Sequence, residues 1–216
     1  MLDLSLSLPS LLPDRGVRLP RWEYKCEFRE RESALVGRDS WKLERRQHFE
    51  EQGSPSRDAF RRGDWAEALR LLEARGAALR ASVEDERRRR SFFHRVRVVE
   101  EPLTPYLQWE LHSQRQRAEY GERIHVVDAA HVRAAETAAP LPEVVILGGS
   151  HLYTVVYSAS GAPEGAVRFT DPALVRPWEV FLRRLYAEGE DVRSYFDRKV
   201  ASLRPPVARE QTISAE

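Results

Sequence analysis

The chain has 216 residues and a mass of 25.0 kDa, a length that suits one domain or one domain with a helical annex. Its 35 Lys and Arg residues almost balance 34 Asp and Glu residues, so the net charge of +1 gives no global argument for nucleic acid, a membrane or an acidic partner. A hydrophobic fraction of 42%, 32% charged residues and one cysteine, Cys26, exclude membrane-spanning, fibrous and disulfide-rich classes and predict a cytoplasmic protein.

The N-terminal part is expected to begin irregularly. Residues 1–26 combine repeated Pro and Gly with no sustained period, so we predict an irregular segment there. Its leucine-rich start, Met1–Leu12, is interpreted as a frayed tail or as a peptide that packs on a partner. Residues 34–51 are weakly periodic and fit a strand or a short helix equally well.

Residues 27–90 are predicted to be mainly helical. Asp64 can cap a helix, and Glu67 lies three residues further on, as in a capping box. Apolar residues follow at helical intervals: Trp65, Leu69, Leu72 and Leu79. Residues 84–90 are expected to form a charged linker or a solvated helix end.

Residues 91–200 have a different texture, which begins with a strand, a helix and a strand. Arg95–Glu100 alternates Arg and Val, which favours a strand. Thr104–Pro105 is typical of a helix start, and that helix should end near Gly121. Arg123–Asp128, with Ile-His-Val-Val at its centre, is predicted to be a second strand. This spacing predicts a parallel βαβ unit.

Further strands and a last helix complete this part. Val144–Leu147 and Leu152–Tyr157 flank Gly148–Gly149, which predicts a hairpin. Ala166–Phe169 adds a strand, and Asp171–Pro172 begins an amphipathic helix. Residues 91–200 therefore read β-α-β-β-β-β-α.

The fold class predicted from these elements is α/β, with an α+β arrangement as the alternative. We expect a mixed sheet with a βαβ unit and hairpins, packed by helices and preceded by the mainly helical residues 27–90. A single domain should extend over 27–203, and residues 204–216 should form a loose tail.

Glu110 is the most informative polar residue, because it lies in the middle of a helix that must pack on the sheet. We expect it either to pair with Arg95 or Arg97 of the neighbouring strand or to act as an acid or base with a raised pKa. Tyr106 and Trp109 beside it fit a core position or a ligand platform. These five residues form the predicted ligand-binding set.

Other candidate sites are weaker. His125, Asp128 and His131 carry metal-ligand chemistry, but their spacing is not that of a rigid site, so we predict no metal and no cofactor. Ser150–His151 follows a glycine pair without the pattern of a nucleophile elbow. If the chain were an enzyme, Glu110 and His112 would be its catalytic residues.

Arg87–Arg90 is the main basic run of the chain. It could contact phosphates, but the preceding acidic residues 84–86 favour a solvated linker. The absence of a helix-turn-helix pattern also argues against base-specific nucleic-acid binding, and no apolar run approaches the ~18 residues that a membrane span needs.

Several short segments between Phe28 and Phe196 form a distinctive set: Trp41-Lys-Leu-Glu, Phe60-Arg-Arg-Gly-Asp, Arg95-Val-Arg-Val-Val-Glu-Glu-Pro, Tyr106-Leu-Gln-Trp-Glu, Gly121-Glu, Val144–Leu147 and Thr170-Asp-Pro. Together they resemble the actinobacterial family of domain of unknown function 6879. The resemblance implies an α/β fold and a gene neighbourhood that often contains helix-turn-helix regulators, and it supplies no activity.

The element order of residues 91–200 also resembles half of a phospholipase-D-like domain. The three catalytic positions of that motif would fall on Leu141, Glu143 and Gly148, none of which can supply its His, Lys and Asp. The resemblance therefore implies a scaffold without that chemistry.

The leading functional expectation is a non-enzymatic regulatory or adaptor protein that binds a peptide or small ligand. It would act through a protein partner, such as a helix-turn-helix regulator, which the arginine run or the N-terminal leucines would contact. The alternatives are a tailoring enzyme of specialised metabolism that uses Glu110, and nucleic-acid binding through Arg87–Arg90.

Overall fold

The computed structural model describes residues 8–136, 139–158 and 161–206. Within them, eight strands form one mixed sheet. The strands are β1 (Val17–Pro20), β2 (Ser40–Glu44), β3 (Phe93–Val99), β4 (Arg123–Asp128), β5 (Val144–Leu147), β6 (His151–Tyr157), β7 (Pro163–Phe169) and β8 (Glu190–Asp191). Their order across the sheet is β1-β7-β6-β5-β2-β3-β4-β8.

Eight α-helices of the described ranges accompany the sheet. They are α1 (Arg21–Ala34), α2 (Pro55–Arg61), α3 (Trp65–Glu73), α4 (Gly76–Arg89), α5 (Pro105–Glu119), α6 (Ala129–Val132), α7 (Pro172–Glu188) and α8 (Val192–Lys199). The predicted caps explain several starts: the Asp64 carboxylate accepts a hydrogen bond from the Glu67 amide at 3.0 Å, and Thr104 and Asp171 cap α5 and α7 in the same way.

The α/β prediction is confirmed. β2, β3 and β4 run parallel, and α5 connects β3 to β4 as the predicted βαβ unit. β5 and β6 pair antiparallel around the predicted hairpin at Gly148–Gly149, where both glycines have the positive φ that such a tight turn favours.

The larger core lies on one face of the sheet. Because side chains alternate along a strand, Trp41 and Leu43 of β2 and Val96 and Val98 of β3 point to the same side. There they pack against α7, whose buried residues are Leu174, Val175, Trp178, Phe181, Leu182 and Leu185.

The opposite face is covered by helices at its two ends. Tyr24 and Phe28 of α1 pack near Tyr153 of β6. At the other end, Leu107 and Leu111 of α5 pack with Ile124, Val126 and α8. The two central parallel strands lie between these apolar clusters.

The prediction of an irregular N-terminal segment is wrong from Val17 onward. Val17–Pro20 forms β1, which hydrogen-bonds to β7, and α1 follows directly from Arg21. A short edge strand is fixed by its distant partner and leaves little pattern in its own sequence. The start of α1 is equally obscure, because Pro20 at the cap position offers no side-chain hydrogen bond.

The leucine-rich start is partly described. Leu8 and Leu11 pack against the larger core, and the Pro9 carbonyl accepts a hydrogen bond from the Trp178 indole at 3.0 Å. Residues 1–7 of this segment and residues 207–216 of the predicted loose tail lie outside the described ranges. The expected domain limits of 27 and 203 stay a prediction.

Four further features differ from or refine the sequence-based expectation. Residues 34–51 contain the strand β2, and the predicted helix from Asp64 divides into α3 and α4. The charged residues 84–90 belong to the end of α4, which Arg90 terminates in a left-handed conformation. The short β8 and α8 follow the last predicted helix. In the described part of the chain, no helix is long and apolar enough to cross a membrane.

Candidate functional site

Four charged residues occupy the face of the two central strands that points away from the larger core. Lys42 and Glu44 of β2 lie opposite Arg95 and Arg97 of β3 in the parallel register. These four residues are called the charged floor below. Interior positions of this kind normally carry aliphatic side chains, so the charged floor is the main departure from the expected core.

Glu44 is the centre of this floor. Its Oε1 atom accepts from Lys42 Nζ at 2.7 Å and also from Arg95 Nη1, and its Oε2 atom accepts from Gln114 Nε2 at 3.1 Å. Although burial opposes ionisation, the positive charges of Arg95, Lys42 and Arg97 hold the pKa of Glu44 well below its usual range. Glu44 is therefore the fixed counter-charge of the floor.

Arg97 and Glu110 form a buried ion pair. Arg97 is 0% exposed and its Nε atom donates to Glu110 Oε2 at 2.8 Å, while its Nη1 atom donates to the carbonyl oxygens of Glu44 and Val98. Burial raises the pKa of Glu110 to about 7, and the positive charge of Arg97 opposes that shift. The other Glu110 oxygen, Oε1, lies 3.4 Å from the Tyr106 hydroxyl oxygen, whose proton is directed to Glu51 at 2.8 Å.

A second buried carboxylate, Glu143, lies at the start of β5. Its Oε1 atom accepts from the backbone amides of Arg45 and Arg46 at 2.8 and 2.7 Å, whereas its Oε2 atom has no hydrogen-bond partner among the described residues. Burial raises the pKa of Glu143 to about 7. Burial therefore keeps this carboxyl group from being fully ionised near pH 7, although the two backbone amides favour its charged form.

An open cleft of about 400 Å³ lies above the charged floor, between α1 and α5. This volume is within the usual range for small-molecule sites. Six basic side chains line it: Arg21, Lys25, Lys42, Arg75, Arg95 and Arg117. Four carboxylates line it as well: Glu44, Glu50, Glu51 and Glu110. The other lining residues are Phe49, Gln52, Ser113, Gln114, Tyr157 and Pro163.

Several cations of the cleft lack a carboxylate partner. Arg75 donates only to the Ser113 hydroxyl, at 3.4 Å, and Arg21 donates to the Gln52 side chain at 2.6 Å. Neither Arg75 nor Lys25 makes an ion pair with any residue that the structure describes. Burial, followed by the nearby charge of Arg117, lowers the pKa of Arg75. An anion entering the cleft would meet donors that form no ion pair with a carboxylate of the described residues.

Lysine placement points to the same cleft. The chain has three lysines, Lys25, Lys42 and Lys199, and the first two line the cleft. A lysine ammonium is a compact charge on a flexible stem and can follow a ligand more freely than a guanidinium. The side chain of Lys42 is 28% exposed, so a ligand could reach it.

The structure separates the five residues of the predicted ligand-binding set. Arg95 and Glu110 line the cleft, and Arg97 lies sealed beneath it. Tyr106 and Trp109 do not line it and belong to an apolar cluster with α2 and α3. Whether any of the five contacts a ligand stays a prediction.

Trp109 and Tyr106 are bound into the core by both packing and polar contacts. The Trp109 indole donates to the Ser56 hydroxyl at 2.9 Å, and the Tyr106 hydroxyl donates to Glu51 at 2.8 Å. The Arg57 guanidinium lies 5.1 Å from the Tyr106 ring centroid and 5.7 Å from that of Trp109. The sequence left two roles open for these aromatic residues, a core position or a ligand platform. In the structure both occupy core positions.

The histidines named as candidates lie apart from the cleft. His112 packs between the rings of Trp65 and Phe196, and burial lowers its pKa to about 4. It follows Glu110 by two residues, which places it on another side of α5. His112 therefore cannot share a proton with a ligand that contacts Glu110.

The remaining polar candidates are also dispersed. His125 stacks on Tyr186 with ring centroids 3.8 Å apart, and its Nδ1 atom lies 2.6 Å from the Tyr186 carbonyl oxygen. At the hairpin, Ser150 Oγ lies 2.9 Å from His151 Nδ1, in an exposed position. Among the described residues, no group of three or more His, Cys, Asp or Glu side chains could hold a metal ion.

Two of the four arginines in the run, Arg88 and Arg89, form local ion pairs. Arg88 and Arg89 both pair with Asp85, at 2.9 and 2.7 Å, and Arg89 also pairs with Glu32 of α1 at 2.9 Å. These contacts join the end of α4 to α1. They favour the structural role over the phosphate-binding role for residues 87–90.

The residues that make the cleft were mostly not predicted. Lys42 and Glu44 alternate with Trp41 and Leu43 in β2, which is the pattern of a strand with one polar face. That pattern could have indicated a polar site. Lys25 and Arg75 carry no local signal, since Lys25 reaches the cleft from α1 and Arg75 from the turn between α3 and α4, and only the fold brings these segments together.

No curated protein matches the chain. The sequence profile of one family, described as Domain of unknown function (DUF6879), matches residues 27–197. That match includes β2, β3 and α5, and hence the charged floor and Glu110. The chain belongs to this family.

Proposed function

We propose that the protein is a non-enzymatic ligand-binding protein that holds a small anionic molecule in the cleft above the charged floor. The observation that carries the proposal is the charged floor itself, open to a 400 Å³ cleft. Buried charges are often less stabilising than well-packed apolar residues of similar volume. Lys42, Glu44 and Arg95 therefore make more sense as a recognition surface than as a source of stability.

The charge balance of the cleft supports an anionic ligand. Six basic and four acidic side chains line it, an excess of two positive charges. Lys25 and Arg75, without ion-pair partners in the described ranges, would supply charge-assisted hydrogen bonds that are stronger than those of neutral donors. A regulatory or adaptor role follows if a protein partner distinguishes the bound state from the free state.

The proposal can be tested by isothermal titration of the full chain with inorganic phosphate and with succinate at low salt. Binding should weaken at least about tenfold in Lys42→Gln and in Arg75→Gln, which corresponds to about 1.4 kcal/mol for each lost charge-assisted contact. Arg115→Gln is the matched control, because Arg115 lies on α5 but pairs with Glu119 away from the cleft.

Two results would contradict this function. One is the absence of binding by either anion to the folded wild-type chain. The other is an equal loss of affinity in Arg115→Gln, which would indicate a general electrostatic effect rather than a site.

The regulatory part of the proposal has its own test. The family resemblance implies an actinobacterial source and a neighbouring helix-turn-helix regulator as the first partner to examine. Co-elution of the two proteins should change when the cleft is loaded with its anion. Co-elution that is indifferent to the anion, and equal for Lys42→Gln, would argue against coupling between cleft and partner.

The second candidate function is catalysis with Glu110 as acid or base. It is favoured by one observation, the pKa of about 7 for a carboxyl group that lines the cleft. Against it, Arg97 holds one Glu110 oxygen in a buried ion pair, and His112 faces other elements. A bell-shaped pH dependence of turnover that Glu110→Gln abolishes would favour this function over simple binding.

The resemblance to a phospholipase-D-like half domain leads us to propose a scaffold that lacks the catalytic residues of that fold. Leu141, Glu143 and Gly148 stand where that motif would place its catalytic residues, so we expect no phosphodiesterase activity. For nucleic acid, the paired state of Arg88 and Arg89 predicts a flat titration with DNA or RNA even at low salt.

A further inference from the structure

We propose that the ligand is a phosphate monoester that carries a flat ring, with the phosphate on the charged floor and the ring against Phe49 and Tyr157. This inference rests on the proposed function and adds the chemical class of the ligand. Three features of the cleft support it: two aromatic side chains that line it, their position next to the cations, and the net positive charge of the lining residues.

The aromatic wall is formed by two residues from separate segments. Phe49 comes from the loop after β2 and Tyr157 from the end of β6, and their ring centroids lie 5.8 Å apart with an interplanar angle of 37°. Both rings are half-buried and line the cleft. A flat ring packs on such a surface with a gain beyond simple area burial.

The wall adjoins the charged floor. The Arg97 guanidinium carbon lies 5.5 Å from the Phe49 ring centroid, and Arg97 is two residues from Arg95 on the same strand. Lys42 lies opposite Arg95 in the register of β2 and β3. Lys42 and Arg95 share Glu44 as their counter-charge, whereas Lys25 and Arg75, which line the same cleft, form no ion pair with a described residue. One small molecule can therefore place a ring on the wall and an anionic group at the floor, where Lys25 and Arg75 supply the positive charge that Glu44 does not offset.

The charge of the cleft favours one compact dianion. The excess of two positive charges among the lining residues matches a phosphate monoester, which carries about −1.5 to −2 at pH 7. A longer polyanion would meet Glu50 and Glu51, which also line the cleft. Both carboxylates already have partners, Arg61 and Tyr106 respectively, and would repel additional negative charge.

The experiment compares three probes by isothermal titration of the full chain at low salt: inorganic phosphate, phenyl phosphate and cyclohexyl phosphate. Phenyl phosphate should bind at least about tenfold more tightly than inorganic phosphate, and more tightly than the saturated cyclohexyl ester, because only a flat ring can stack on the wall.

Variants assign the two parts of the ligand. Phe49→Leu should remove the advantage of phenyl phosphate and leave the affinity for inorganic phosphate unchanged. Lys42→Gln should weaken the binding of both inorganic phosphate and phenyl phosphate. Tyr157→Leu serves as the second wall variant if Phe49→Leu proves unfolded by circular dichroism.

The outcomes separate this inference from the proposed function. Equal affinities for inorganic and phenyl phosphate, or an advantage of phenyl phosphate that survives both wall variants, would overturn the aromatic part while the anion site stands. An equal gain from the cyclohexyl ester would also overturn it. Failure of all three phosphates, together with succinate, to bind the folded chain would overturn the proposed function itself.

Discussion

Replacement of Arg97 by methionine is the most direct way to measure what the charged floor contributes to stability. The substitution removes the partner of Glu110 and one donor from each of the carbonyl oxygens of Glu44 and Val98, of which Val98 keeps the Gln47 side-chain amide. Loss of one partner of a buried pair typically costs about 3–5 kcal/mol, because a charge stays buried without compensation. We therefore expect the free energy of unfolding to fall by about that amount.

The double variant Arg97→Met with Glu110→Met should recover part of this loss. It removes both charges, and apolar side chains can pack where the ion pair lay. The two substitutions should therefore be non-additive by about 1–3 kcal/mol, as expected for residues in direct contact. Urea unfolding monitored by tryptophan fluorescence gives the free energies for the four proteins of this cycle.

The pH dependence of the single variant provides a second check. Without Arg97, the buried Glu110 carboxyl group can escape the cost of its charge by taking up a proton, so the deficit of Arg97→Met should be smaller at about pH 5 than at about pH 8. Two results would refute the reasoning: additive free energies within about 0.5 kcal/mol, or a deficit that does not change with pH.

Three further predictions concern single positions. Burial raises the pKa of Glu143 to about 7 from an ordinary value of 4.5; the native state then binds more protons than the unfolded state in that window, and stability falls as pH rises through it. Glu143→Gln should reduce the slope of this part of the stability–pH profile measured by urea unfolding, to which Glu110 also contributes. Glu119→Gln on the exposed side of α5 should leave the slope unchanged; equal slopes for the two variants would contradict the assignment. Thr104→Ala removes the cap of α5 and should cost about 1 kcal/mol in unfolding free energy; an unchanged midpoint of thermal unfolding would argue against the cap. Gly165→Ala would place a Cβ atom 2.2 Å from the Leu19 carbonyl oxygen, so the β1–β7 pairing should loosen, with faster amide exchange in β1; wild-type protection there would refute the close approach.

The sequence by itself predicted the elements whose signals are local. The Asp64 cap, the Thr104–Pro105 start of α5 and the Gly148–Gly149 turn each depend on a side chain or backbone conformation within a few residues. The βαβ unit followed from element spacing alone. These features are short-range, so one sequence carries enough information to find them.

The elements that were missed depend on distant partners. β1 is a strand because β7 supplies its hydrogen bonds, more than 140 residues away in the chain, and α1 gains its position from contacts of Tyr24 and Phe28 with the sheet. Neither contact leaves a period or cap that a reading of residues 1–26 could detect. The break between α3 and α4 was missed as well, because it falls within one continuous helical pattern of apolar residues.

For the candidate site, the sequence determined one ion pair in outline and the tertiary structure decided the rest. Alternation in β3 and a carboxylate in the following helix were enough to predict that Glu110 meets Arg95 or Arg97, and the structure selects Arg97. The cleft needed the fold, because Lys25, Lys42, Arg75 and Tyr157 come from four segments that meet only when the sheet is assembled. The net charge of the whole chain is nearly zero. Side-chain alternation and helix packing nevertheless concentrate charged side chains at the cleft. That concentration depends on which residues meet in three dimensions and not on composition.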